Sequence, residues 1–488
     1  MENSGNTKKT IYDERNIAMM MDLYELTMAN GYFLQEDQKS RVAFDVFYRR
    51  NPDGGGFAVF AGLEQILQYL EGLHFDTEDV EYLRSLKMFD ERFLEYLANF
   101  RFSGDVYAFP EGTVMYPGEP VITVVADLVQ AQIIETELLA QINHQSLVAT
   151  KACRIVRAAV GRAVSDFGAR RAHNNDAAIY GARACYIGGV NGTATVSAGQ
   201  DFGIPVSGTM AHSWVMFYGD ELTAFRKFAE IYPNNCILLV DTYDVLKSGV
   251  PNAIRVFEEM QDKGIHSANF GIRLDSGDLA YLSRRARKML DEAGFQKAKI
   301  VVSNSLDEYT IRSIIEQGGR IDAFGVGERM ITARSEPVFG AVYKLCAVER
   351  DGKMDPRIKI SENIEKVTNP GLKRVFRAYN RDGHSIADVL AKYDEEPQKI
   401  PYLIDPEKPW KKIPIENLSF KELQQCMMKD GKRCMEAESI GTIRERLRNQ
   451  LDSEVWEEEQ RFENPHWHYL DMTPEYYRMK MKLLGAES

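Results

Sequence analysis

The middle of the chain alternates between short apolar runs and longer amphipathic stretches. A Pro-free apolar pattern with helical spacing over 135–160 comes first, and seven runs with strand character follow it. Those runs are 162–167, 193–196, 204–206, 236–240, 268–274, 299–302 and 321–326. Amphipathic helices are predicted between most of them, at 222–231, 251–263, 279–293 and 308–317.

Strands that alternate with helices, each strand ending in a polar cluster, are typical of a parallel α/β barrel. In such barrels the active site lies at the C-terminal ends of the strands. The irregular spacing of the first three strands predicts an imperfect barrel, and a doubly wound open sheet is the alternative fold.

The flanking segments have a different texture. Residues 1–135 mix a helical pattern at 22–33, a strand at 42–48 and a second helix at 62–73. Beyond 346 the periodicity fades: the chain is basic and strand-prone over 354–375, Pro-rich over 399–414 and predicted to be helical over 420–483. We therefore expect an N-terminal α/β domain (1–135), a barrel (136–345) and a C-terminal segment (346–488) that packs beside the N-terminal domain.

Composition and charge bear on nucleic-acid binding, on the redox compartment and on membrane association. The 488 residues are 44% hydrophobic and carry a formal net charge of −12, which disfavours nucleic acid because phosphate contacts need clustered Lys and Arg. Six cysteines without a CxxC pair fit a reducing compartment better than a disulfide framework or a zinc site. No run approaches ~18 apolar residues, so a soluble, cytoplasmic protein without a membrane partner is expected.

The polar clusters at the strand ends carry the candidate chemistry. They contain cations, carboxylates, one histidine and two glycine-bearing turns. In chain order they are Asp166–Arg171, Gly208–His212, Asp241–Asp244, Arg273–Asp278, Ser303–Asp307 and Gly325–Glu328.

Together these residue types indicate an enzyme that acts on phosphate esters. Glycine turns let backbone N–H groups approach an anion, carboxylates suit Mg²⁺ on phosphate oxygens, and a histidine such as His212 can act as a base or a nucleophile. The alternative for 275–278, Asp-Ser-Gly-Asp, is a plain helix N-cap. No Walker A sequence occurs, and no lysine ends a strand before Lys344, which disfavours a Schiff-base aldolase. His466-Trp467-His468 is predicted to be a surface loop rather than a metal site.

Several motifs resemble the nicotinate phosphoribosyltransferase family, over roughly residues 12–380. They are Asp22–Met28, Phe44–Arg50, Phe167-Gly168 with Arg170–Ala172, Gly203–Ser213, Asp241–Asp244, Arg273–Leu279 and Ile358–Asn363. The resemblance implies a type II phosphoribosyltransferase fold, which is an irregular α/β barrel with a second α/β domain formed by the N-terminal and C-terminal segments. It also implies a homodimer with shared active sites.

The implied reaction joins nicotinate to phosphoribosyl pyrophosphate in NAD biosynthesis, with Mg²⁺, and couples it to ATP hydrolysis. By resemblance, His212 is the phosphorylated histidine and Asp241 orients it. The resemblance also implies the substrate contacts. Those for nicotinate are Tyr24, Thr209 and Arg273, and those around the phosphoribosyl pyrophosphate are Arg170, Asp275 and Asn304. The 5′-phosphate is held at Gly325, Gly327 and Glu328, and the partner subunit supplies Arg49 and Lys359. Asp275 and Asp278 are the candidate metal contacts, through the pyrophosphate.

One position favours an acid substrate over an amide. A sister family that uses nicotinamide places an aspartate where Ala194 stands, and a carboxylate there would repel nicotinate. Two departures from the family pattern are Ala169 and Glu328, the latter an acid beside the expected phosphate site. The rival functions are a sugar-phosphate isomerase or aldolase on the same barrel, and a non-catalytic nicotinate- or phosphoribosyl-binding regulator.

Overall fold

The chain folds into two compact units. The computed structural model describes residues 15–265, 269–363 and 366–486. Unit 1 contains the chain up to Leu147 together with the chain from Val338 onward, and unit 2 is Val148–Pro337. Among the described residues no helix is both long and apolar enough to cross a membrane.

The helices follow the predicted amphipathic stretches closely in the first three quarters of the chain. In chain order they are α1 Leu23–Leu34, α2 Leu63–Gly72, α3 Thr77–Ser85, α4 Glu91–Ala98, α5 Leu128–Gln132, α6 Glu135–Ala158, α7 Asn175–Ile187, α8 Val196–Phe202, α9 His212–Tyr218, α10 Glu221–Ile231, α11 Val250–Asp262, α12 Leu279–Glu292, α13 Glu308–Glu316, α14 Glu328–Ile331, α15 Ile440–Ser453 and α16 Pro474–Leu483.

The strands are mostly short. In chain order they are β1 Arg41–Phe47, β2 Ala58–Val59, β3 Asp105–Ala108, β4 Val114–Met115, β5 Ile122–Asp127, β6 Ala163–Asp166, β7 Gly192–Thr193, β8 Cys236–Leu239, β9 Phe270–Leu274, β10 Lys299–Ser303, β11 Ala323–Val326, β12 Val342–Arg350, β13 Lys353–Pro356, β14 Lys373–Tyr379, β15 Ser385–Lys392, β16 Tyr402–Ile404, β17 Lys412–Pro414, β18 Ser419–Glu422, β19 Gln425–Lys429, β20 Lys432–Arg433 and β21 Tyr469–Met472.

Unit 2 is built around one parallel sheet. Its strands run in the order β7-β6-β11-β10-β9-β8, and helices cover the sheet, so buried residues such as Ile272 and Val302 come in near-continuous apolar runs. The sheet with its crossover helices confirms the predicted α/β class. Its end strands β7 and β8 are not paired with each other in the described part of the chain, which fits an irregular rather than a closed barrel, and a second α/β unit accompanies it.

Two of the predicted strands are shorter than expected. The run at 204–206 makes only an isolated parallel bridge, between Val206 and Thr193. Pro205 has no N–H to donate to a ladder, so a full strand does not form. Val196, predicted at the end of a strand, begins α8, and Ala268 lies outside the described residues.

Unit 1 contains two larger mixed sheets. One has the order β13-β12-β1-β5-β3-β19-β20 and the other β17-β16-β21-β15-β14-β18. The helical prediction for 420–483 was wrong over much of its length, because β18, β19, β20 and β21 lie there beside α15 and α16. These strands pair with partners distant in sequence, such as β3 and β14.

Unit 1 contains a fully buried ionic cluster. Arg377 donates two hydrogen bonds to Asp388, at 2.8 and 2.7 Å, and His468 Nδ1 lies 3.0 Å from Glu459. The ring of His468 stacks on Tyr116 with centroids 3.7 Å apart. Of the predicted surface loop, His466 and Trp467 are exposed, but the prediction was wrong for His468, whose ion pairs allow it to be buried.

The cluster predicts a pH-dependent stability. Burial alone would lower the pKa of His468, but the carboxylates of Asp388 and Glu459 outweigh it and raise that pKa. Its contribution is therefore fully present below the unfolded pKa of about 6.5 and is lost as the pH rises through the folded pKa. We expect the free energy of unfolding to fall more steeply from pH 6 to pH 9 in the wild type than in His468→Gln, as measured by denaturant titration. Parallel slopes would contradict this.

Candidate active site

His212 begins helix α9, directly after the loop that follows Val206. Its Nδ1 lies 3.1 Å from the hydroxyl of Thr242. Its Nε2 lies 3.9 Å from Asp241 Oδ1 and 3.7 Å from Asp275 Oδ2. The ring is part-exposed, so a ligand can reach it. The hydroxyl of Thr242 lies beside Nδ1, and the two carboxylates lie on the Nε2 side.

Asp241, at the end of β8, is buried and fixes the geometry of its neighbours. Its Oδ2 accepts from the backbone N–H of Asp275 at 2.9 Å and from the hydroxyl of Ser276 at 2.6 Å. Its Oδ1 is buried with no hydrogen-bond partner among the described residues. A buried carboxylate oxygen is costly to leave unpaired, so Oδ1 is the acceptor available to His212.

Arg273 is the most highly connected cation of the site. From β9 it donates to the hydroxyls of Ser303 and Thr209, both at 2.9 Å, and to Asp275 at 3.2 Å. Its guanidinium lies over the ring of Phe167, 5.4 Å from the centroid. These contacts hold a mostly buried cation in one orientation, which suits recognition of a planar carboxylate.

The other predicted residues of unit 2 lie at the same edge of the sheet. Ser303 pairs with Gly325, and Val326 with Asp166, so the turns after β6, β10 and β11 are neighbours. Arg170 is exposed in the turn after β6. Asn304 and Ser305 both have positive φ, 96° and 42°, a strained conformation that proteins retain mainly at functional sites.

The turn after β11 brings backbone close to Phe167. A Cβ on Gly325 would lie 2.4 Å from the Phe167 ring, and one on Gly327 would lie 3.1 Å from its carbonyl oxygen. Glu328, the acid beside the expected phosphate site, forms an ion pair with Arg334 at 3.0 Å. That pairing offsets part of the negative charge beside this turn.

Replacing Gly325 by alanine tests this close approach. The added methyl group would push Phe167 from beneath Arg273, and we expect a loss of about 1–3 kcal/mol in the free energy of unfolding, typical of overpacking. Gly31→Ala is the control, because a Cβ on Gly31 meets nothing within 4 Å. Equal stabilities of the two variants in urea titrations would contradict the close approach of Gly325 to Phe167.

Two residues near the strand ends have simple local roles. Asp278 caps α12 by accepting from the N–H of Tyr281 at 2.9 Å, as the N-cap alternative predicts. Ala194 is exposed after β7, and its N–H donates to the carbonyl of Asp166 at 2.8 Å, so a longer side chain would extend outward from this strand end.

The three predicted residues of unit 1 are described within their own unit. Tyr24 is 44% exposed on α1, and burial together with Glu135 raises the pKa of its hydroxyl. Lys359 is exposed. Arg49 follows β1 and lines a cavity of about 280 Å³.

This cavity is rich in cations. Besides Arg49 it is lined by Lys344, Lys373 and Lys480; Lys373 pairs with Asp45, and Lys344 with Glu135 at 3.5 Å. Among the described residues, Arg49 and Lys480 have no carboxylate within ion-pair distance, and burial with the nearby Lys373 lowers the pKa of Lys480 to about 8. Such an arrangement favours an anionic ligand.

Sequence reasoning assigned no individual role to four residues that hold the site together. Thr242, Ser276, Ser303 and Phe167 contact His212, Asp241 or Arg273. Each lies in a polar cluster that follows a predicted strand, and this position is the signal by which the sequence could have identified it as a site residue. Their partners come from other strands and could not be inferred.

In the described ranges no group of three or more His, Cys, Asp or Glu side chains is arranged to hold a metal ion. Asp275, with its carboxylate 27% exposed, is the acid at the centre of the cluster that can still reach a ligand. A cation at this site would therefore need most of its ligands from water or from a bound substrate.

Comparison with known proteins matches three family models in succession. The nicotinate phosphoribosyltransferase N-terminal domain matches residues 19–143, the family model residues 162–384 and the C-terminal domain residues 372–480. The chain is 45% identical to nicotinate phosphoribosyltransferase of Bacillus subtilis (strain 168) over 476 residues, which is 96% of each protein. It is 34% identical to the Dictyostelium discoideum protein of that name, over 94% of this chain and 87% of that one.

Solved structures show the same likeness. The crystal structure of human nicotinic acid phosphoribosyltransferase aligns with a TM-score of 0.83 at 27% identity, and covers 95% of this chain and 99% of its own. Nicotinate-nucleotide pyrophosphorylase from Pyrococcus furiosus aligns with a TM-score of 0.69 at 26% identity, over 93% of this chain and 99% of its own.

Proposed function

The chain belongs to the nicotinate phosphoribosyltransferase family, and we propose that the cluster around His212 and Arg273 is its active site. The enzyme joins nicotinate to phosphoribosyl pyrophosphate, and forms nicotinate mononucleotide and pyrophosphate for NAD biosynthesis. The observation that carries the site assignment is the arrangement of His212 beside Asp241 and Asp275, with Arg273 tied to Asp275.

Nicotinate binding is assigned to Arg273, Thr209 and Tyr24. The fork of Arg273 matches a carboxylate, and Thr209 is already aligned with it at 2.9 Å. Phe167, beneath the guanidinium, offers an apolar face beside the pyridine ring. Ala194 places no negative charge near the substrate carboxylate, which favours the acid over the amide.

The phosphoribosyl group is assigned to the turns after β6, β10 and β11. Breaking the bond between C1 and pyrophosphate develops positive charge on the ribose and negative charge on the leaving group. Arg170 and Asn304 would lie along the pyrophosphate, while backbone N–H groups at Gly325, Gly327 and Glu328 would hold the 5′-phosphate. Because these protein groups are already in position before the bond breaks, they stabilise the charge separation without having to reorganise.

Mg²⁺ fits this site as a companion of the substrate. When bound to the pyrophosphate it supplies positive charge that stabilises the leaving group. Asp275 is the carboxylate placed to meet it; Asp278 retains one oxygen beside its capping contact. One or two carboxylates with phosphate oxygens and water are the usual ligand set of Mg²⁺.

ATP coupling is assigned to His212. The carboxylates near Nε2 favour the tautomer that carries its proton there, which leaves the lone pair on Nδ1, the nitrogen beside Thr242. Nδ1 would attack the γ-phosphorus of ATP; the bond from that phosphorus to the bridging oxygen breaks, and ADP leaves with the electron pair. Asp241 would then stabilise the charge on the phosphorylated ring.

A homodimer with shared sites accounts for the residues of unit 1. Tyr24, Arg49 and Lys359 are assigned to the active site of the partner subunit, and the uncompensated charge of Arg49 fits a phosphate ligand there. The free cysteines agree with a cytoplasmic enzyme in a reducing compartment.

Arg49→Ala tests the shared site. Losing a charge-assisted contact of about 1.5–3 kcal/mol should raise KM for phosphoribosyl pyrophosphate by about tenfold to a hundredfold. Arg50→Ala, which changes the exposed neighbour, should alter KM little. Initial rates at varied phosphoribosyl pyrophosphate measure both.

Mixing two defective variants shows from which subunit Arg49 acts. A heterodimer of Arg49→Ala and Arg273→Ala subunits would have one intact site and one site with both defects. After subunit exchange, and at phosphoribosyl pyrophosphate well below the wild-type KM so that both parent variants are nearly inactive, we expect recovery to about a quarter of wild-type activity, since half of the dimers are mixed and each has one intact site. No recovery, with exchange verified by mass, would place both residues in the site of one subunit.

A further inference from the structure

Two of the six cysteines lie next to each other on one hairpin. The Sγ atoms of Cys426 and Cys434 are 3.1 Å apart, whereas Cys153, Cys185, Cys236 and Cys346 are buried. Cys434 is exposed and Cys426 is part-buried. The two are eight positions apart in sequence, so a search for CxxC does not find them.

The backbone brings the pair together. Strands β19 and β20 are joined by a tight turn at Asp430 and Gly431, both with positive φ. Pairing continues beyond β20, where the N–H of Cys434 donates to the carbonyl of Met427 at 2.9 Å. The register of β19 against β3 shifts between Cys426 and Met428, and this irregularity lies beside the two sulfurs.

The hairpin is anchored at its other positions. Arg433 donates to Glu64 at 2.8 and 3.0 Å and to Glu71 at 2.6 Å. Lys429 binds Asp105 at 2.7 Å, and Gly431 donates to the carbonyl of Gly104 at 2.9 Å. These contacts fix both strands, so the sulfurs are held together rather than meeting by chance. A disulfide needs Sγ atoms about 2.05 Å apart, which a small movement of two side chains supplies.

We propose that Cys426 and Cys434 form an oxidisable dithiol, which a small-molecule disulfide converts into an intramolecular disulfide that locks the β19–β20 edge of the seven-stranded sheet. This modification site shares no residue with the active-site cluster of unit 2 and does not depend on the assigned reaction.

The exchange balances in two steps. The thiolate of Cys434, the more accessible sulfur, attacks one sulfur of the oxidant; the oxidant's S–S bond breaks and its first thiol leaves. The thiolate of Cys426 then attacks the Cys434 sulfur of the mixed disulfide, and the second thiol leaves. Each proton released by a protein thiol ends on a departing thiol. Burial and the neighbouring Cys434 raise the pKa of Cys426 to about 11, which assigns it the second, intramolecular step.

The test is mass analysis of the full-length enzyme after treatment with oxidised glutathione. We expect the intact mass to fall by two hydrogens, and, after alkylation and tryptic digestion, a cross-link between the peptides that contain Cys426 and Cys434. Cys426→Ser and Cys434→Ser should each lose the cross-link, and Cys426→Ser should instead gain one glutathione on Cys434. Glutathione retained on wild-type Cys434, or a cross-link that survives in either variant, would overturn the proposal.

A thermal measurement gives a second readout. Closing the short loop restricts the unfolded chain, so oxidation should raise the unfolding midpoint of the wild type, and dithiothreitol should return it to the reduced value. The serine variants should show no such shift. An unchanged midpoint in fully cross-linked wild type would overturn the claim that the disulfide locks the sheet edge.

Discussion

His212→Ala is expected to abolish ATP hydrolysis and leave only slow, ATP-independent formation of nicotinate mononucleotide. The imidazole is the strongest nucleophile among the side chains of the cluster, and alanine removes the atom that would carry the phosphoryl group. Arg273 and the phosphate turns stay in place, so binding and positioning still give residual catalysis. ADP release and mononucleotide formation, measured together with and without ATP, separate these two effects.

The companion variants sharpen that prediction. His74→Ala changes a part-exposed histidine of unit 1 and should keep full coupling. Asp241→Asn keeps the shape but weakens the support at Nε2, so phosphorylation should slow rather than disappear. After incubation with ATP labelled on its γ-phosphate, the wild type should carry an acid-labile label, and His212→Ala should carry none. ATP stimulation that survives in His212→Ala would contradict the assignment of the phosphohistidine.

Arg273→Ala is expected to lower kcat/KM for nicotinate by about a hundredfold or more. Two charge-assisted contacts at about 1.5–3 kcal/mol each are at stake, and Asp275 would lose the cation that pairs with it at 3.2 Å. Arg273→Lys should recover little, because an ammonium cannot reproduce the fork that meets Thr209, Ser303 and Asp275 together.

Steady-state kinetics with varied nicotinate measure this loss, and Arg285→Ala is the matched control. Arg285 is exposed on α12, and its removal should leave kcat/KM unchanged. If Arg273→Ala altered only the KM for phosphoribosyl pyrophosphate, the assignment of the nicotinate carboxylate to Arg273 would be wrong.

Much of unit 2 could be predicted from sequence because its strands are buried on both faces. The runs 236–240 and 300–302 are continuous and apolar, and the amphipathic helices between them have clear spacing. The polar residues in or after these runs, His212, Asp241 and Arg273, converge because the C-terminal ends of parallel strands share one edge of the sheet.

The secondary structure of unit 1 was harder to predict because its strands pair with strands that are distant in sequence. The segment 420–483 contains β18 and β19, whose partners β14 and β3 are separated from them by long stretches of chain. Local periodicity cannot report such contacts. The same limit hid the burial of His468, whose partner Asp388 lies on β15.

Within the site, residue types were predictable and contacts were not. The pairing of Glu328 with Arg334 depends on side-chain direction at the start of α14, which a sequence motif does not specify. The contact of Thr242 with His212 joins two loops 30 positions apart. The motifs identified which residues belong to the site, and the fold determines which of them are in contact.

The most direct measurement compares nicotinate with nicotinamide as the base, each with phosphoribosyl pyrophosphate and Mg²⁺, with and without ATP. The account predicts mononucleotide and pyrophosphate from nicotinate, faster with ATP and accompanied by ADP, and no product from nicotinamide. Turnover of nicotinamide at a comparable rate would contradict the role given to Ala194 and Arg273, and no turnover of either base would contradict the assigned reaction itself.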